Sequence, residues 1–134
     1  ERPDLTIAIN GGITDLDQAE RHLALTDGVM LGRAAYQNPY LLSEVDNRLF
    51  GGEVSGLTRW QVASVMADYA DRMLRDRDVR VGNIAKHMVG LFQGMPGARA
   101  FRRHLSENAF MAGATGQVIR DAAALVPNVT AVAA

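Results

Sequence analysis

Two glycine-containing turns near the start of the chain combine residue types that suit the binding of an anion. Asn10, Gly11 and Gly12 follow one apolar run, and Gly32 and Arg33 follow a second run about twenty residues later. Glycine lets the backbone turn sharply and brings its N–H groups close to a ligand. A following helix start adds further N–H groups, and Arg33 can add a charge-assisted hydrogen bond. The spacing alone is equally compatible with a phosphate site and with two ordinary strand-to-helix turns.

A second group of polar side chains is basic. Arg99, Arg102, Arg103 and Ser106 are spaced at i, i+3, i+4 and i+7, which places them on one face of a predicted helix. Lys86 lies on the outer side of the helix predicted before it. Such a face suits the backbone phosphates of a nucleic acid. The alternative is a solvated helix face with intrahelical ion pairs, such as one between Arg103 and a glutamate one turn later.

The composition excludes several kinds of site. The 134 residues contain no cysteine, so the chain itself offers no disulfide, thiolate metal site or cysteine nucleophile. The three histidines are not spaced as a ligand set, and we expect neither a metal site nor a catalytic residue. Residues 83–120 carry five basic residues and one acidic residue although the net charge is −1, which predicts a local anionic partner.

No apolar run approaches the roughly 18 residues of a membrane span, and no basic leader precedes an apolar segment. We therefore expect no membrane partner and a cytoplasmic location.

The turns belong to a predicted repeat of strand, turn and helix. Residues 5–10 and 28–32 have the near-continuous apolar character of buried parallel strands. Between them, Thr14 is a candidate N-cap with Asp17 as its partner. A second helix is predicted from Ala34 and is broken at Asn38-Pro39. This order predicts the last two units of a (β/α)₈ barrel, where loops after the strands commonly hold a phosphate.

The rest of the chain predicts a helical bundle. Residues 51–56 form a glycine-rich linker, and we place the domain boundary within residues 43–57. Thr58 and Gln61 form a capping box that begins a helix running to about residue 77. Three further helices are predicted, over residues 83–93, from Pro96-Gly97 with proline in the first turn, and from Thr115 to about residue 125.

The predicted fold class is therefore α/β, with the end of a TIM (β/α)₈ barrel followed by an α-helical bundle. The predicted domains are residues 1–50, carrying the last two barrel units, and residues 51–134, forming the helical part. At 134 residues the chain is too short for a complete barrel of about 250 residues.

Three segments, residues 9–13, 27–39 and 87–99, closely resemble the tRNA-dihydrouridine synthases, specifically the A-type enzymes of bacteria; residues 102–108 continue the match. The resemblance covers residues 5 to about 126 in order and corresponds to the C-terminal third of such an enzyme. It implies an FMN-containing (β/α)₈ barrel followed by a helical domain. It also implies reduction of the 5,6 double bond of particular uridines in tRNA, with NADPH supplying the hydride to the flavin.

The resemblance also implies roles for individual residues. Five residues would cradle the FMN phosphate: Asn10, Gly11, Gly12, Gly32 and Arg33. Four basic residues would contact the tRNA backbone: Lys86, Arg99, Arg102 and Arg103. The family's active cysteine, which protonates the uracil, belongs to an earlier loop that is absent here. We therefore expect the chain to be inactive alone.

Two alternative functions are also compatible with the sequence. The helical part could act alone as a non-catalytic RNA-binding module. The phosphate loops would also fit a different barrel enzyme, such as a dihydroorotate-dehydrogenase-like flavoprotein, although the helical tail argues against it.

A two-strand remnant of a barrel would have bare edges and an uncovered apolar face. We therefore expect residues 1–42 to self-associate through these edges, to lose their order, or to repack on the helices.

Overall fold

The computed structural model describes residues 4–54 and 56–128. The chain forms two compact units that divide between Gly56 and Leu57. The first unit contains a small sheet and short helices, and the second unit is helical. The assignment of these parts as a barrel end and a tRNA-binding domain stays a prediction.

The first unit is built on a two-stranded parallel sheet. Strand β1 (Ala8–Asn10) pairs with β2 (Gly28–Met30), with Asn10 opposite Met30. Before the strands, the N–H of Asp27 donates to the carbonyl of Ile7 at 2.9 Å, and the Asp27 carboxylate accepts from the N–H of Ile7 at 2.8 Å. Both strands are shorter than predicted, and β1 begins after Ile7, whose N–H bonds to this carboxylate rather than to a backbone carbonyl.

The prediction of a buried first strand is wrong. Leu5 and Ile7 are 52% and 57% exposed, because no third strand lies beside the pair among residues 4–54. A lone strand pair has two free edges and little cover for its faces. Large apolar side chains are also exposed elsewhere in this unit: Leu25, Met30, Tyr36, Leu42, Phe50 and Val54. The predicted self-association through barrel edges stays a prediction.

Three short α-helices complete the first unit. These are α1 (Leu16–Leu23), α2 (Arg33–Gln37) and α3 (Val45–Phe50), and a 3₁₀ helix (Pro39–Glu44) joins the last two. As predicted, α2 ends before Asn38-Pro39.

The predicted N-cap of α1 is wrong by one residue. Asp15, not Thr14, caps the helix, and its carboxylate accepts from the N–H of Gln18 at 2.8 Å. The Gln18 side chain in turn accepts from the N–H of Thr14 at 3.2 Å. Gln18 is the third residue after the cap and has the longer side chain, so it takes the reciprocal role that we expected of Asp17.

Arg48 ties α3 to α1. Its guanidinium donates to Glu20 at 2.8 Å and also pairs with Asp17, both on α1. The hydrogen bond from Arg48 lowers the pKa of Glu20, and the same bonds raise the pKa of Arg48. The ion pairs therefore orient the two helices, although partly exposed pairs of this kind add little stability.

Over residues 57–128 the second unit contains four helices: α4 (Arg59–Arg77), α5 (Val81–Ala85), α6 (Ala98–Asn108) and α7 (Gln117–Ala124). The predicted capping box of α4 is confirmed. The Thr58 hydroxyl accepts from the N–H of Gln61 at 3.2 Å, and the Gln61 side chain accepts from the N–H of Thr58 at 2.8 Å. The predicted end of α4 at Arg77 is also confirmed.

Phe92 occupies the centre of the helical core. It is fully buried, and its ring meets those of Trp60 and Phe101 edge-on, with centroid distances of 5.3 and 4.7 Å. The indole N–H of Trp60 donates to the carbonyl of Val126 at 3.2 Å. Trp60 therefore acts as a packing residue of this core, with its ring and its N–H both used inside the unit.

The predicted helix over residues 83–93 is wrong. Helix α5 ends at Ala85, and the chain continues as successive turns in which an N–H bonds to the carbonyl three residues earlier. Gly90 and Gly94 reduce the helix propensity of this segment, and Gly94 takes a φ of 81°. Side chains predicted to face inward are nevertheless buried: Met88, Leu91 and Phe92.

The predicted starts of the last two helices each shift by one or two residues. Gly97 is the N-cap of α6 with a φ of 88°, so Pro96 lies outside the first turn. Gly116, not Thr115, precedes α7 as its N-cap. The N–H of Gly116 donates to the Asp71 carboxylate of α4 at 2.6 Å. The Thr115 hydroxyl still accepts from the N–H of Gln117 at 3.3 Å, so the local side chain that we expected and a carboxylate from another helix both contribute to the start of α7.

Asp68 and Asp71 of α4 also pair with Arg120 of α7. The hydrogen bond that Arg120 donates to Asp68 is the main cause of the raised pKa of Arg120. Both carboxylates therefore join α4 to α7.

The approach of α7 to α4 depends on Gly116. A Cβ on this residue would lie 2.2 Å from the carbonyl oxygen of Ala67 and 2.7 Å from the Asp71 carboxylate. Ala63, Ala67 and Ala70 are fully buried on α4. Small residues on both helices thus permit the close contact.

We predict that Gly116→Ala destabilises the helical unit by about 2–3 kcal/mol, because the added methyl forces α7 away from α4. Chemical denaturation followed by Trp60 fluorescence measures this change. Gly56→Ala is the matched control, since nothing lies within 4 Å of the position of its Cβ. Equal stability of the two variants would contradict the prediction.

We predict that Arg48→Met removes part of the pH dependence of the first unit. A carboxyl whose pKa is lowered on folding stabilises the fold above its unfolded pKa, and this stabilisation is lost as pH falls through the folded value. Glu20 is such a group. Amide hydrogen exchange in α1, measured between about pH 6 and pH 3, should therefore depend less on pH in the variant. Arg77→Met, in the helical unit, is the control and should leave the pH dependence of exchange in α1 unchanged.

Candidate functional site

The two predicted phosphate loops leave the same edge of the sheet. Because β1 and β2 are parallel and Asn10 is the register partner of Met30, the chain exits both strands side by side. Gly11 and Gly12 directly follow the first strand, and one residue separates Gly32 from the end of the second strand. The structure thus places the two loops as neighbours, as the predicted site requires.

The first loop has the backbone conformation for which glycine is suited. Gly11 and Gly12 have φ values of 108° and 73°, in the region that side chains disfavour. Both are exposed, and no heavy atom lies within 4 Å of the position that a Cβ would occupy. The loop backbone is therefore open to a ligand, which fits the approach of a phosphate group.

The two helix starts differ in what they offer an anion. The Asp15 carboxylate already occupies the start of α1, and its pKa is lowered chiefly by the N–H of Gln18. A phosphate there would meet a negative charge, so this helix start contributes less than we expected. Gly32 caps α2 without a side-chain hydrogen bond, and Arg33 is exposed in its first turn. Positive charge at the site thus comes from the second loop.

The arginines of α6 are exposed or half-buried on one side of the helical unit. The guanidinium of Arg102 donates to the Gln93 side chain at 3.3 Å, which holds it towards the preceding turns. Arg103 lies 4.0 Å from Glu107, with both side chains mostly exposed. An exposed pair at this distance contributes little. The alternative of a solvated face held by intrahelical ion pairs is therefore supported at Arg103 alone, and there by a weak pair.

Lys86 lies beside the same helix. It lines a small cleft of about 100 Å³ together with Ser106, whose hydroxyl donates to the carbonyl of Arg102. Within residues 4–54 and 56–128, Lys86 and Arg99 form no ion pair. We call the surface formed by these four predicted residues the basic surface: Lys86, Arg99, Arg102 and Arg103.

One feature of this region was missed by the sequence analysis. Phe110 is 56% exposed and lines both the small cleft and a larger one of about 560 Å³. A signal for it was present, because Arg102, Ser106 and Phe110 are spaced four residues apart. It went unrecognised because Phe110 follows the end of α6, where helical spacing no longer applies.

The described residues contain no group of three or more histidine, cysteine, aspartate or glutamate side chains arranged to hold a metal ion. None of the helices within residues 4–54 and 56–128 combines the length and apolar character needed to cross a bilayer.

Comparison with known proteins gives a consistent match. Residues 1–127 match the family model described as dihydrouridine synthase (Dus). A protein from Vibrio cholerae named tRNA-dihydrouridine(20/20a) synthase is 51% identical over 125 residues, which cover 93% of this chain and 38% of the relative. Proteins of the same name from Shewanella oneidensis and Escherichia coli are 51% and 48% identical, over 88% and 92% of this chain.

The chain spans less than two fifths of the length of these relatives, at 35% for the Shewanella protein and 36% for the Escherichia coli protein. Because the family model matches nearly the whole sequence, the chain belongs to the dihydrouridine synthase family.

Proposed function

We propose that the chain is part of a flavin-dependent oxidoreductase that reduces specific uridines of tRNA to 5,6-dihydrouridine. In this proposal the first unit supplies the last two units of a TIM barrel, and the second supplies a tRNA-binding helical domain. The relatives that share about half of its residues are named tRNA-dihydrouridine synthases. The observation that carries the proposal is the parallel pairing of β1 and β2, which sets two glycine loops at one sheet edge.

FMN is the cofactor that these loops would hold by its phosphate. The N–H groups of the first loop, from Asn10 to Gly12, would bind phosphate oxygens, since the two left-handed glycines leave the backbone uncovered. Gly32 would add a further N–H, and the Arg33 guanidinium would balance the negative charge. Bound flavin with NADPH as reductant would supply the hydride chemistry. The residues of this chain would hold and orient the cofactor.

The basic surface would bind tRNA through backbone phosphates. Four cationic side chains lie on or beside α6, and of these four Arg103 alone forms an ion pair, at 4.0 Å, within the described part of the helical unit. Cations that are not paired inside the protein can release counterions from RNA when they bind its phosphates. Such contacts position the RNA without reading its sequence.

A non-catalytic RNA-binding module is the second candidate. The helical unit is compact by itself, and the sequence contains no cysteine to act as the general acid. Under either candidate we expect the chain alone not to reduce uridine. The cytoplasmic location of the protein stays a prediction.

We predict that FMN shifts the backbone amide resonances of Gly11, Gly12, Gly32 and Arg33 together in a saturable manner. Riboflavin, which lacks the phosphate, should leave them largely unchanged. An ¹⁵N-NMR titration of the full chain measures these shifts. Equal effects of FMN and riboflavin, or shifts in one loop only, would contradict a shared phosphate site.

A matched pair of glycine variants extends the titration. Gly12→Ala should weaken the FMN-dependent shifts, because alanine disfavours a φ of 73° and the loop would rearrange. Gly51→Ala carries the same kind of backbone strain, at a φ of 66°, but it follows α3 rather than a strand. It should leave the titration unchanged.

We predict that reversing the charges in Arg102→Glu/Arg103→Glu weakens tRNA binding at least about tenfold near 100 mM salt. The slope of log K against log salt should fall by about two, since two phosphate contacts are lost. Filter binding over a salt series measures both quantities. Arg75→Glu/Arg77→Glu on α4 changes the net charge equally and serves as the control. Equal losses in the two variants would indicate a general charge effect rather than a binding surface.

A further inference from the structure

We propose that Phe110 is an exposed aromatic platform on which an unpaired base of the bound RNA stacks. This inference rests on the proposed tRNA-binding function and adds a contact to it. Within the helical unit, the large apolar side chains that are exposed among the described residues are Leu57, Val65, Phe110, Met111 and Leu125. Phe110 is the aromatic member of this set, and it borders the basic surface.

The ring of Phe110 is supported on one side by the backbone. A Cβ on Gly82 would lie 2.5 Å from two atoms of this ring, so the ring rests directly against the first turn of α5. At the same time 56% of Phe110 is exposed. A ring that is held from one side and open on the other can accept a base by stacking, at little cost in side-chain entropy.

Charged groups lie on both sides of the ring. Lys86 and Ser106 line the small cleft with Phe110. Arg80, Thr115 and Asp78 line the larger cleft of about 560 Å³. Because Arg80 and Asp78 carry opposite charges in the larger cleft, whereas Lys86 meets no acidic residue among those lining the small cleft, we place the RNA backbone on the Lys86 side and the base over the ring. The larger cleft has the volume typical of small-ligand sites, about 300–1,000 Å³.

The chemistry of the surroundings favours RNA as the occupant. Lys86 belongs to the basic surface, and Ser106 lies one helical turn after Arg102. A backbone that follows these cations would pass beside Phe110. Aromatic side chains next to a basic groove are the common means by which proteins bind single-stranded nucleic acid, because every base has a π-face.

The test compares side chains that differ in their ability to stack. Phe110→Leu keeps an apolar side chain against Gly82 but removes the aromatic face, whereas Phe110→Tyr keeps it. We expect the leucine variant of the full chain to bind an unmodified tRNA transcript and a single-stranded oligouridine about tenfold more weakly. The tyrosine variant should bind as the wild type does. Leu125→Ala, another half-exposed apolar position, is the control and should bind normally.

Two further readouts separate stacking from loss of charge or structure. The salt dependence of tRNA binding should be the same in Phe110→Leu and wild type, because no phosphate contact is lost. Binding of double-stranded RNA should not change, since its bases are already stacked. A thermal unfolding midpoint close to that of the wild type would show that the fold is intact.

The outcomes distinguish this inference from the proposed function. Normal tRNA binding by Phe110→Leu would overturn the platform and leave the proposed function standing. Loss of binding in both the leucine and the tyrosine variants would also overturn it, because the shape of the site rather than stacking would be responsible. Absence of tRNA binding by the wild type would overturn the proposed function and this inference together.

Discussion

The parallel pairing of β1 with β2 is the constraint on which the candidate phosphate site depends. Two parallel strands connected through a helix must both run to the same edge, so whatever follows them in sequence becomes adjacent in space. The pairing is fixed at its other end by Asp27, which both donates to and accepts from the backbone of Ile7. A slip of register would separate Asn10 from Met30 and would separate the loops with them.

The helical unit depends on a different kind of constraint, which is close approach. Helix α7 lies against α4 because Gly116 has no side chain and Ala67 has a small one. The Asp71 carboxylate of α4 then accepts from the N–H of Gly116 at the start of α7, in addition to the local bond between Gln117 and the Thr115 hydroxyl. Helix α6 packs on this arrangement through the buried rings of Phe92 and Phe101. The arginines of α6 consequently remain on the outside, where an anionic partner can reach them.

Features that depend on neighbouring residues could be read from the sequence, and features that depend on distant residues could not. The capping box of Thr58 and Gln61 is local, and it was predicted correctly. The start of α7 was predicted only in part, because the Asp71 carboxylate, which acts there beside the Thr115 hydroxyl, lies 45 residues away on α4. The apolar character of the first strand predicted burial, whereas the argument from a two-strand remnant predicted an uncovered face; the structure agrees with the second, since burial depends on strands that the described residues do not include.

Some residues of the candidate site could likewise be predicted from their local sequence, and others could not. Glycine spacing predicted both loops, and the structure sets them side by side. The N-cap of α1, which we expected to be Thr14, is instead the negatively charged Asp15. The basic residues were found from helical spacing. Phe110 was not, because its relation to Lys86 and Gly82 comes from the packing of the turns after α6 against α5. A site whose residues come from different helices and turns can be recognised only when the fold is known.

The proposed function also explains why the first unit exposes so many apolar side chains. In a TIM barrel each strand has a neighbour on both sides, and helices cover the outer face. Leu5 and Ile7 on the strand segment and Phe50 at the end of α3 are exposed in this chain, whereas further strands and helices of a barrel would cover such positions. The helical unit has its own core of fully buried side chains, including Phe92, Phe101 and Ile119. Under the proposed function, RNA binding by the helical unit would need less additional barrel structure than cofactor binding would, since the proposed phosphate loops belong to the unit that exposes these apolar side chains.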